Sequence, residues 1–203
     1  MITLVNYGLG NIQAFYHIYT RLNLPVVIAS NPDQLRGATK LILPGVGAFD
    51  WAMQRLNDSG MRSTLDELVL EQGVPVLGIC VGMQMMALSS EEGVLPGLGW
   101  LDARVRRFET VRLAHKMVLP HMGWNDVTPV TDSPLFKGLD APRFYFLHSY
   151  YFSPGQPSQT IATTHYGNDF TSAAGYRHIY GVQFHPEKSH SWGIQLLNNF
   201  ANI

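Results

Sequence analysis

The sequence has very little cysteine, and its charges are neither numerous nor clustered. Cys80 is the only cysteine in 203 residues, so no disulfide can form within the chain, and we expect a reducing, cytoplasmic location. Charged residues make up 14% of the chain, the formal net charge is -1, and no basic run of the kind that binds nucleic acid is present. The sequence therefore argues against a disulfide-stabilised fold and predicts no nucleic-acid partner.

Long apolar stretches and clusters of metal ligands are also missing. The first residues, MITLVNYGLGN, contain neither a basic segment nor a long hydrophobic run, so we expect no signal peptide and no membrane association. The chain has no HxxxH pattern, no group of Cys and His residues and no Asp-rich loop. We therefore expect no metal site.

A glycine-containing segment near the N-terminus, NYGLGNIQ at residues 6–13, is superficially similar to a dinucleotide-binding loop. Gln13 stands where that loop carries its third glycine, and no phosphate-binding lysine follows. The sequence therefore predicts no nucleotide, and we expect no other cofactor.

What the first half does contain is an alternation of short apolar runs with segments of helical spacing. Such an alternation predicts βαβ units and a parallel sheet with helices on both faces. The apolar runs are ITLV (2–5), PVVIA (25–29), KLILP (40–44) and PVLGI (75–79), and the helical segments are NIQAFYHIYTRL (11–22), AFDWAMQRLN (48–57) and MRSTLDELVLEQ (61–72).

The pattern changes after Trp100. Residues 100–185 carry short aromatic and β-branched runs between Pro and Gly turns, which predicts antiparallel strands that extend the sheet, and SHSWGIQLLNNF predicts a final helix. No stretch is long enough to link two domains. We therefore predict one α/β domain over residues 1–203, with a mainly parallel central sheet, flanking helices and additional antiparallel strands in the C-terminal half.

The lone cysteine lies in PVLGICVGMQ, at the point where an apolar strand ends and a helix-compatible stretch begins. Gly78 and Gly82 flank Cys80 and would relieve crowding at a sharp strand-to-helix corner. Such a corner exposes the sulfur, places a helix N-terminus behind it and leaves the N–H of Val81 free for an oxyanion. The alternative is a small buried side chain in a core strand, and the stretch alone does not decide between them.

A base for this thiol is offered by GVQFHPEKS at residues 181–189. His185 ends an apolar run, Pro186 cannot continue a ladder, and Glu187 would project to the same side of an extended segment as His185. Glu187 can then orient the imidazole toward the sulfur. The alternative is a histidine at a strand end beside a solvated carboxylate.

Two further segments fit the same edge of the sheet. In LILPGVGAFD (41–50) a glycine-rich turn follows a strand and can present N–H groups to an anion, although an ordinary βα turn has the same sequence pattern. In SSEEG (89–93) one of two adjacent carboxylates can bind a substrate ammonium, although most such pairs only meet water.

Together these segments resemble the class I, Cys-His-Glu glutamine amidotransferases. The similarity extends over essentially the whole chain, and it is strongest to the branch formed by the glutaminase subunits of imidazole glycerol phosphate synthase. The segments that carry it are NYGLGN (6–11), LPGVGAFD (43–50), GICVGMQ (78–84), LPHMGWN (119–125), YFLHSYYF (145–152) and GVQFHPEKS (181–189).

The resemblance implies a role for each matching residue. It implies a glutaminase that forms a heterodimer with a β/α-barrel cyclase and supplies ammonia for imidazole glycerol phosphate and AICAR in histidine biosynthesis. The implied positions are Cys80, His185 and Glu187 for the catalytic triad, Gly47 and Val81 for the oxyanion hole, Gly45, Gln84, Glu92, His148, Ser149 and Tyr150 for L-glutamine, and Asn11, Trp124, Tyr145 and Lys188 for the partner interface.

The chain also departs from this branch at a few positions. Asn6 stands where Asp is usual, Val81 stands where Leu is usual, and MMALSSEEG lacks a common Phe-Glu pair. None of these changes touches the triad. They leave open a paralogous subunit that delivers ammonia to a sugar-modifying partner in surface polysaccharide synthesis. A stand-alone cysteine hydrolase and a catalytically inactive binding module also stay open, although the intact Cys, His and Glu argue against the inactive module.

Overall fold

A computed structural model describes residues 1–109 and 118–203. The helices are α1 (Ile12–Arg21), α2 (Pro32–Leu35), α3 (Phe49–Asp58), α4 (Arg62–Asp66), α5 (Val81–Met85) and α6 (His190–Ala201). The strands are β1 (Ile2–Val5), β2 (Val26–Ala29), β3 (Leu41–Gly45), β4 (Val76–Cys80), β5 (Ser89–Ser90), β6 (Ala103–Arg107), β7 (His121–Asp126), β8 (Thr128–Pro129), β9 (Arg143–His148), β10 (Tyr150–Pro154), β11 (Thr160–Tyr166), β12 (Asn168–Tyr176) and β13 (Ile179–Val182).

The centre of the main sheet is parallel. Its strands lie in the order β2-β1-β3-β4-β13, and each neighbouring pair among them runs in the same direction. Strands β1, β3, β4 and β13 are buried along their whole length, which explains why they read as continuous apolar runs instead of alternating ones. The carboxyl ends of β3, β4 and β13 therefore meet at one edge of the sheet.

Antiparallel strands extend the sheet beyond β13. Strand β12 pairs with β13 and β10, and β10 pairs with β6. Off this path, β11 pairs with β12 and β8 pairs with β11. A separate two-stranded sheet is formed by β7 and β9, whose side chains alternate between buried and more exposed positions. This two-stranded sheet lies beside the edge where β4 and β13 end, because Tyr145 of β9 forms a β-bridge with His185.

The predicted α/β class is confirmed, and the early strands and helices fall within two residues of their predicted bounds at most ends. Residues 100–185 add antiparallel strands as predicted, and β13 joins them to the parallel sheet, because it is antiparallel to β12 and parallel to β4. The helix predicted over residues 61–72 is α4 continued by a π-turn over Glu67–Glu71. The short helix α2, which begins with Pro32 and is capped by Asn31, was not predicted.

None of the helices in the described part of the chain has the length and apolar character needed to cross a bilayer.

Candidate active site

Cys80 lies at a sharp corner between β4 and α5, as the sequence predicts. Its backbone has φ +54° and ψ −112°, which side-chain-bearing residues rarely adopt. A Cβ on Gly82 would overlap the carbonyl oxygen of Leu43, and a Cβ on Gly78 would lie 2.7 Å from the Met86 side chain. The two glycines therefore let α5 pack against β3 and β4 directly behind the thiol.

His185 and Glu187 are brought to Cys80 by the neighbouring strand. Strands β4 and β13 are adjacent, with Ile79 opposite Val182, so the segment after β13 passes beside the corner. His185 Nδ1 lies 2.9 Å from Glu187 Oε1, and both side chains are buried. The expected hydrogen bond is present, but the segment is a 3-10 turn over Pro186–Lys188 and not the predicted extended chain. The turn brings Glu187 back toward the imidazole.

The environment of His185 favours its protonated form. Burial by itself lowers the pKa of His185, but hydrogen bonds and charge interactions with Cys80 and Glu187 outweigh burial and raise the pKa to about 10. Glu187 occupies Nδ1, so Nε2 is the nitrogen available to the sulfur. The raised pKa favours the imidazolium form, which can donate a proton beside Cys80.

Two buried amides complete the surroundings of the thiol. Gln183 Nε2 lies 3.8 Å from the sulfur of Cys80, and Gln183 Oε1 accepts a hydrogen bond of 3.0 Å from Gln84 Nε2. Gln84 Nε2 also donates to the carbonyl of Tyr150 at 3.1 Å. The sequence did not predict Gln183, although its place two residues before His185 on the same chain segment was a usable signal.

The predicted oxyanion donors come from two different segments of the chain. Val81 is the first residue of α5, so its N–H has no acceptor within the helix. Gly47, with φ +87°, belongs to the turn that follows β3. Tyr7 donates a hydrogen bond of 2.7 Å from its hydroxyl to the carbonyl of Pro44 and so anchors the base of this turn. Tyr7 was not predicted as part of the site.

A cavity of about 320 Å³ opens above Cys80. Most of the predicted site residues line it, including Lys188, for which an interface role was predicted. The lining residues are Val46, Gly47, Cys80, Val81, Gln84, Glu92, Pro120, Leu147, His148, Ser149, Tyr150, His185 and Lys188. Of the predicted catalytic and glutamine-binding residues, Gly45 and Glu187 do not line the cavity. Gly45 is buried at the end of β3, where a Cβ would clash with the backbone N of Gly82.

Glu92 is the carboxylate of SSEEG that lines this cavity, while Glu91 accepts a hydrogen bond from the N–H of Arg107. Burial raises the pKa of Glu92, a hydrogen bond of 2.9 Å from the N–H of Phe49 opposes this shift, and the charge of Asp50 adds to it.

Asp50 holds the segment that follows Glu92. Its carboxylate accepts hydrogen bonds from the N–H of Val94 at 2.9 Å and the N–H of Leu95 at 3.0 Å. A Cβ on Gly93 would overlap this carboxylate, so glycine is required for the close approach. Asp50 therefore fixes the backbone next to the carboxylate in the cavity.

Two of the four predicted interface residues, Trp124 and Tyr145, lie on the outer face of the β7–β9 sheet, and a third, Lys188, lies next to Tyr145. Trp124 lies opposite Tyr145 across the strands, and the Lys188 ammonium lies 5.8 Å from the centre of the Tyr145 ring. The indole of Trp124 stacks on His190 with 5.2 Å between ring centres. Asn11 is the exposed residue that precedes α1.

Comparison with known proteins identifies the family and the fold. A family model described as glutamine amidotransferase class-I matches residues 3–203. The chain belongs to the class I glutamine amidotransferase family. This amidotransferase is 60% identical to a protein of Bdellovibrio bacteriovorus named imidazole glycerol phosphate synthase subunit HisH, over 100% of both chains. It is 45% identical to the protein of the same name from Leptospira borgpetersenii, again over 100% of both chains.

The fold of this amidotransferase is also found in solved structures. One of them, a glutamine amidotransferase, superposes with a TM-score of 0.74 at 18% identity, covering 100% of this chain and 99% of the other. At this identity the likeness concerns the fold alone. Within residues 1–109 and 118–203, no group of three or more His, Cys, Asp or Glu side chains is arranged as metal ligands.

Proposed function

We propose that this amidotransferase hydrolyses the side-chain amide of L-glutamine to glutamate and ammonia through a cysteinyl thioester, and passes the ammonia to a synthase partner. The observation that carries the proposal is the buried Cys80 on a positive-φ corner, beside His185, whose Nδ1 lies 2.9 Å from Glu187 Oε1. Family membership supports the choice of glutamine over other amides.

The first half of the reaction forms the thioester. The thiolate of Cys80 attacks the carboxamide carbon, and the negative charge moves onto the amide oxygen. N–H groups of Val81 and of the turn that contains Gly47 stabilise this oxyanion, and one such donor typically lowers the barrier by about 3 kcal/mol. His185 gives its Nε2 proton to the departing nitrogen, the C–N bond breaks, and ammonia leaves. His185 is then neutral.

The second half restores the enzyme. Neutral His185 takes a proton from a water molecule, and the resulting hydroxide attacks the thioester carbon. The C–S bond breaks, glutamate leaves and Cys80 returns as a thiolate beside an imidazolium. Glu187 keeps the ring oriented through both halves and favours the protonated state that begins the next cycle.

Substrate recognition is assigned to the walls of the cavity. Glu92 lies at its rim with a carboxylate that can bind the α-ammonium group of glutamine. Gly45, Gln84, His148, Ser149 and Tyr150 are the remaining positions that we propose for glutamine, from their match to the family and, except for Gly45, their place in the cavity wall.

The partner is proposed to be a β/α-barrel cyclase that makes imidazole glycerol phosphate and AICAR, with the two chains forming a heterodimer. The relatives from Bdellovibrio and Leptospira are named as synthase subunits, which supports a partner chain. The exposed side chains of Met122, Trp124 and Leu147 form an apolar surface on the outer face of the β7–β9 sheet. We propose that this surface, with Tyr145, Lys188 and Asn11, contacts the cyclase.

We further propose that residues 1–203 act as one amidotransferase domain and that the protein works in the cytoplasm, where the nucleophilic thiol stays reduced. The turn over Pro44–Gly47 is proposed to complete the oxyanion hole only when the partner is loaded. The isolated chain would then have weak glutaminase activity.

The test is glutamate formation by the chain alone, with the cyclase, and with the cyclase and its ligand. The proposal expects weak activity alone, strong stimulation by the loaded cyclase and loss of activity in Cys80→Ala. Full activity from the isolated chain would contradict partner control, and unchanged turnover in Cys80→Ala would contradict the triad. Stimulation only by a sugar-modifying partner would favour the paralogous polysaccharide branch instead.

A further inference from the structure

A chain of hydrogen-bonded side chains runs from the β7–β9 sheet to the wall of the cavity above Cys80. Asn125 Nδ2 lies 3.2 Å from His121 Nε2, His121 Nδ1 lies 2.9 Å from His148 Nε2, and His148 Nδ1 lies 2.8 Å from the Tyr150 carbonyl. His121 is 3% exposed and His148 is 6% exposed. Neither His121 nor Asn125 takes part in the chemistry described above.

The direction of the hydrogen bonds is fixed at the first end by two backbone groups. Asn125 Nδ2 donates to the carbonyl of His165 at 2.9 Å, and Asn125 Oδ1 accepts from the N–H of Asp126 at 2.8 Å. The amide orientation is thereby set, so Asn125 donates to His121 Nε2. The proton of a neutral His121 must then be on Nδ1.

The hydrogen bond at the Tyr150 end of the chain requires the same donor-to-acceptor direction. The carbonyl of Tyr150 can only accept, so His148 carries its proton on Nδ1 and its Nε2 accepts from His121. An added proton on His148 Nε2 would face the Nδ1–H of His121, and an added proton on His121 Nε2 would face the amide N–H of Asn125, so in either case two donors would meet without an acceptor. Burial lowers the pKa of His121 to about 4, and burial is also the main cause that lowers the pKa of His148 to about 3. Both rings are therefore neutral at working pH.

The ring of His121 is held in plane from both sides. It stacks on Phe146 with 4.7 Å between ring centres and on Tyr166 with 4.0 Å. Because the ring cannot tilt without losing both contacts, the Nδ1–H points along a fixed line at His148.

The Tyr150 carbonyl is thus held by two donors, His148 and Gln84, and the residues around it line the cavity. We propose that His121 and Asn125 are positioning residues of the glutaminase site, which fix His148 as its Nδ1–H tautomer and so hold the substrate-binding wall over residues 148–150. This inference rests on the proposed function, because the wall is assigned to glutamine there.

Three variants distinguish the effect of the His121 N–H group from the effect of the size of its ring. His121→Phe keeps the aromatic stacking and removes both nitrogens, whereas His121→Asn keeps a donor close to the Nδ1 position. His121→Gln places its amide near Nε2 instead. An unmade hydrogen bond to a buried acceptor predicts a KM for glutamine about 10-fold higher in His121→Phe and His121→Gln, with kcat changed less than about threefold. His121→Asn should stay within about threefold of wild type in both constants.

Activity is measured in the complex with the synthase partner, and urea unfolding reports whether each variant folds. A wild-type KM in His121→Phe overturns the inference, as does equal impairment in His121→Asn, since bulk alone would then matter. If the wild-type complex hydrolyses no glutamine, the proposed function fails and the tautomers are still open to measurement.

That measurement is the ¹⁵N spectrum of the imidazoles in the full chain at pH 7. His121 and His148 should both appear as neutral Nδ1–H tautomers, identified by the loss of each signal in His121→Asn and His148→Asn. In His121→Phe the tautomer balance of His148 should shift. An Nε2–H tautomer or a protonated ring at either position in the wild type overturns the inference.

Discussion

The backbone conformation of Cys80 predicts that glycine, which normally destabilises regular structure, is favoured at this position. With φ +54° and ψ −112°, any residue with a Cβ is strained by about 1–3 kcal/mol, whereas glycine is not. The comparison that isolates this strain is Cys80→Gly against Cys80→Ala, because both variants lack the sulfur and they differ only in the Cβ methyl group.

The expected difference in stability follows from comparison with an alanine-to-glycine change at a position without backbone strain. Ala173 is fully buried in β12 opposite Val182, without a positive φ. Ala173→Gly should lower the free energy of unfolding by about 1–2 kcal/mol, through backbone entropy and a lost methyl group. At position 80 the same loss is offset by about 2 kcal/mol of released strain. Cys80→Gly should therefore be at least as stable as Cys80→Ala.

The assay is urea unfolding followed by the fluorescence of the 4 tryptophans, with unchanged m-values as the check that the transitions are comparable. The reasoning is refuted if Cys80→Gly is less stable than Cys80→Ala by as much as Ala173→Gly is less stable than the wild type. In that case the corner is not strained, and the thiol is presented in some other way.

Three other predictions concern the groups around the cavity. Glu187→Gln removes a negative charge 2.9 Å from the imidazole, so the pKa of His185 falls and the basic limb of the pH–kcat/KM profile moves to lower pH. Asp50→Asn weakens the carboxylate that accepts two backbone N–H groups, and should raise the KM for glutamine about 10-fold. Tyr7→Phe leaves the carbonyl of Pro44 without its donor, and should cost about 1–3 kcal/mol of stability and lower kcat.

Each of these has a result that contradicts it. A basic limb that stays in place in Glu187→Gln would mean that the carboxylate does not set the histidine's protonation. An unchanged KM in Asp50→Asn would mean that the Asp50 carboxylate does not position the Glu92 segment for glutamine binding. Tyr19→Phe is the control for Tyr7→Phe, since the Tyr19 hydroxyl also donates to a buried carbonyl, that of Leu197, at 3.2 Å. Equal losses of kcat in both variants would mean that Tyr7 has no particular link to the turn.

The parts of the site that the sequence predicts are those carried by local patterns. The corner at Cys80 follows from two glycines and an apolar run, because crowding at a strand-to-helix junction is a property of adjacent residues. His185 and Glu187 are two residues apart, so their contact depends little on the rest of the fold. The parallel sheet follows from uninterrupted apolar runs, which only strands buried on both faces can carry.

Contacts that depend on tertiary packing could not be predicted. Gln183 and Gln84 meet because β13 lies beside β4, and nothing local in either segment requires this. The parallel pairing of β13 with β4 could not be predicted for the same reason, since a four-residue strand has the same sequence pattern in a parallel or an antiparallel sheet. His121 reaches His148 only through the pairing of β7 with β9.

The proposed mechanism requires that Cys80 carries a γ-glutamyl thioester while this amidotransferase turns over glutamine. The direct measurement is mass spectrometry of the complex, quenched in acid during steady-state turnover and digested with a protease. We expect the mass of one γ-glutamyl group on the peptide that contains Cys80, absent without glutamine and absent in Cys80→Ala. Steady turnover in Cys80→Ala, or the adduct on any other residue, would contradict the account.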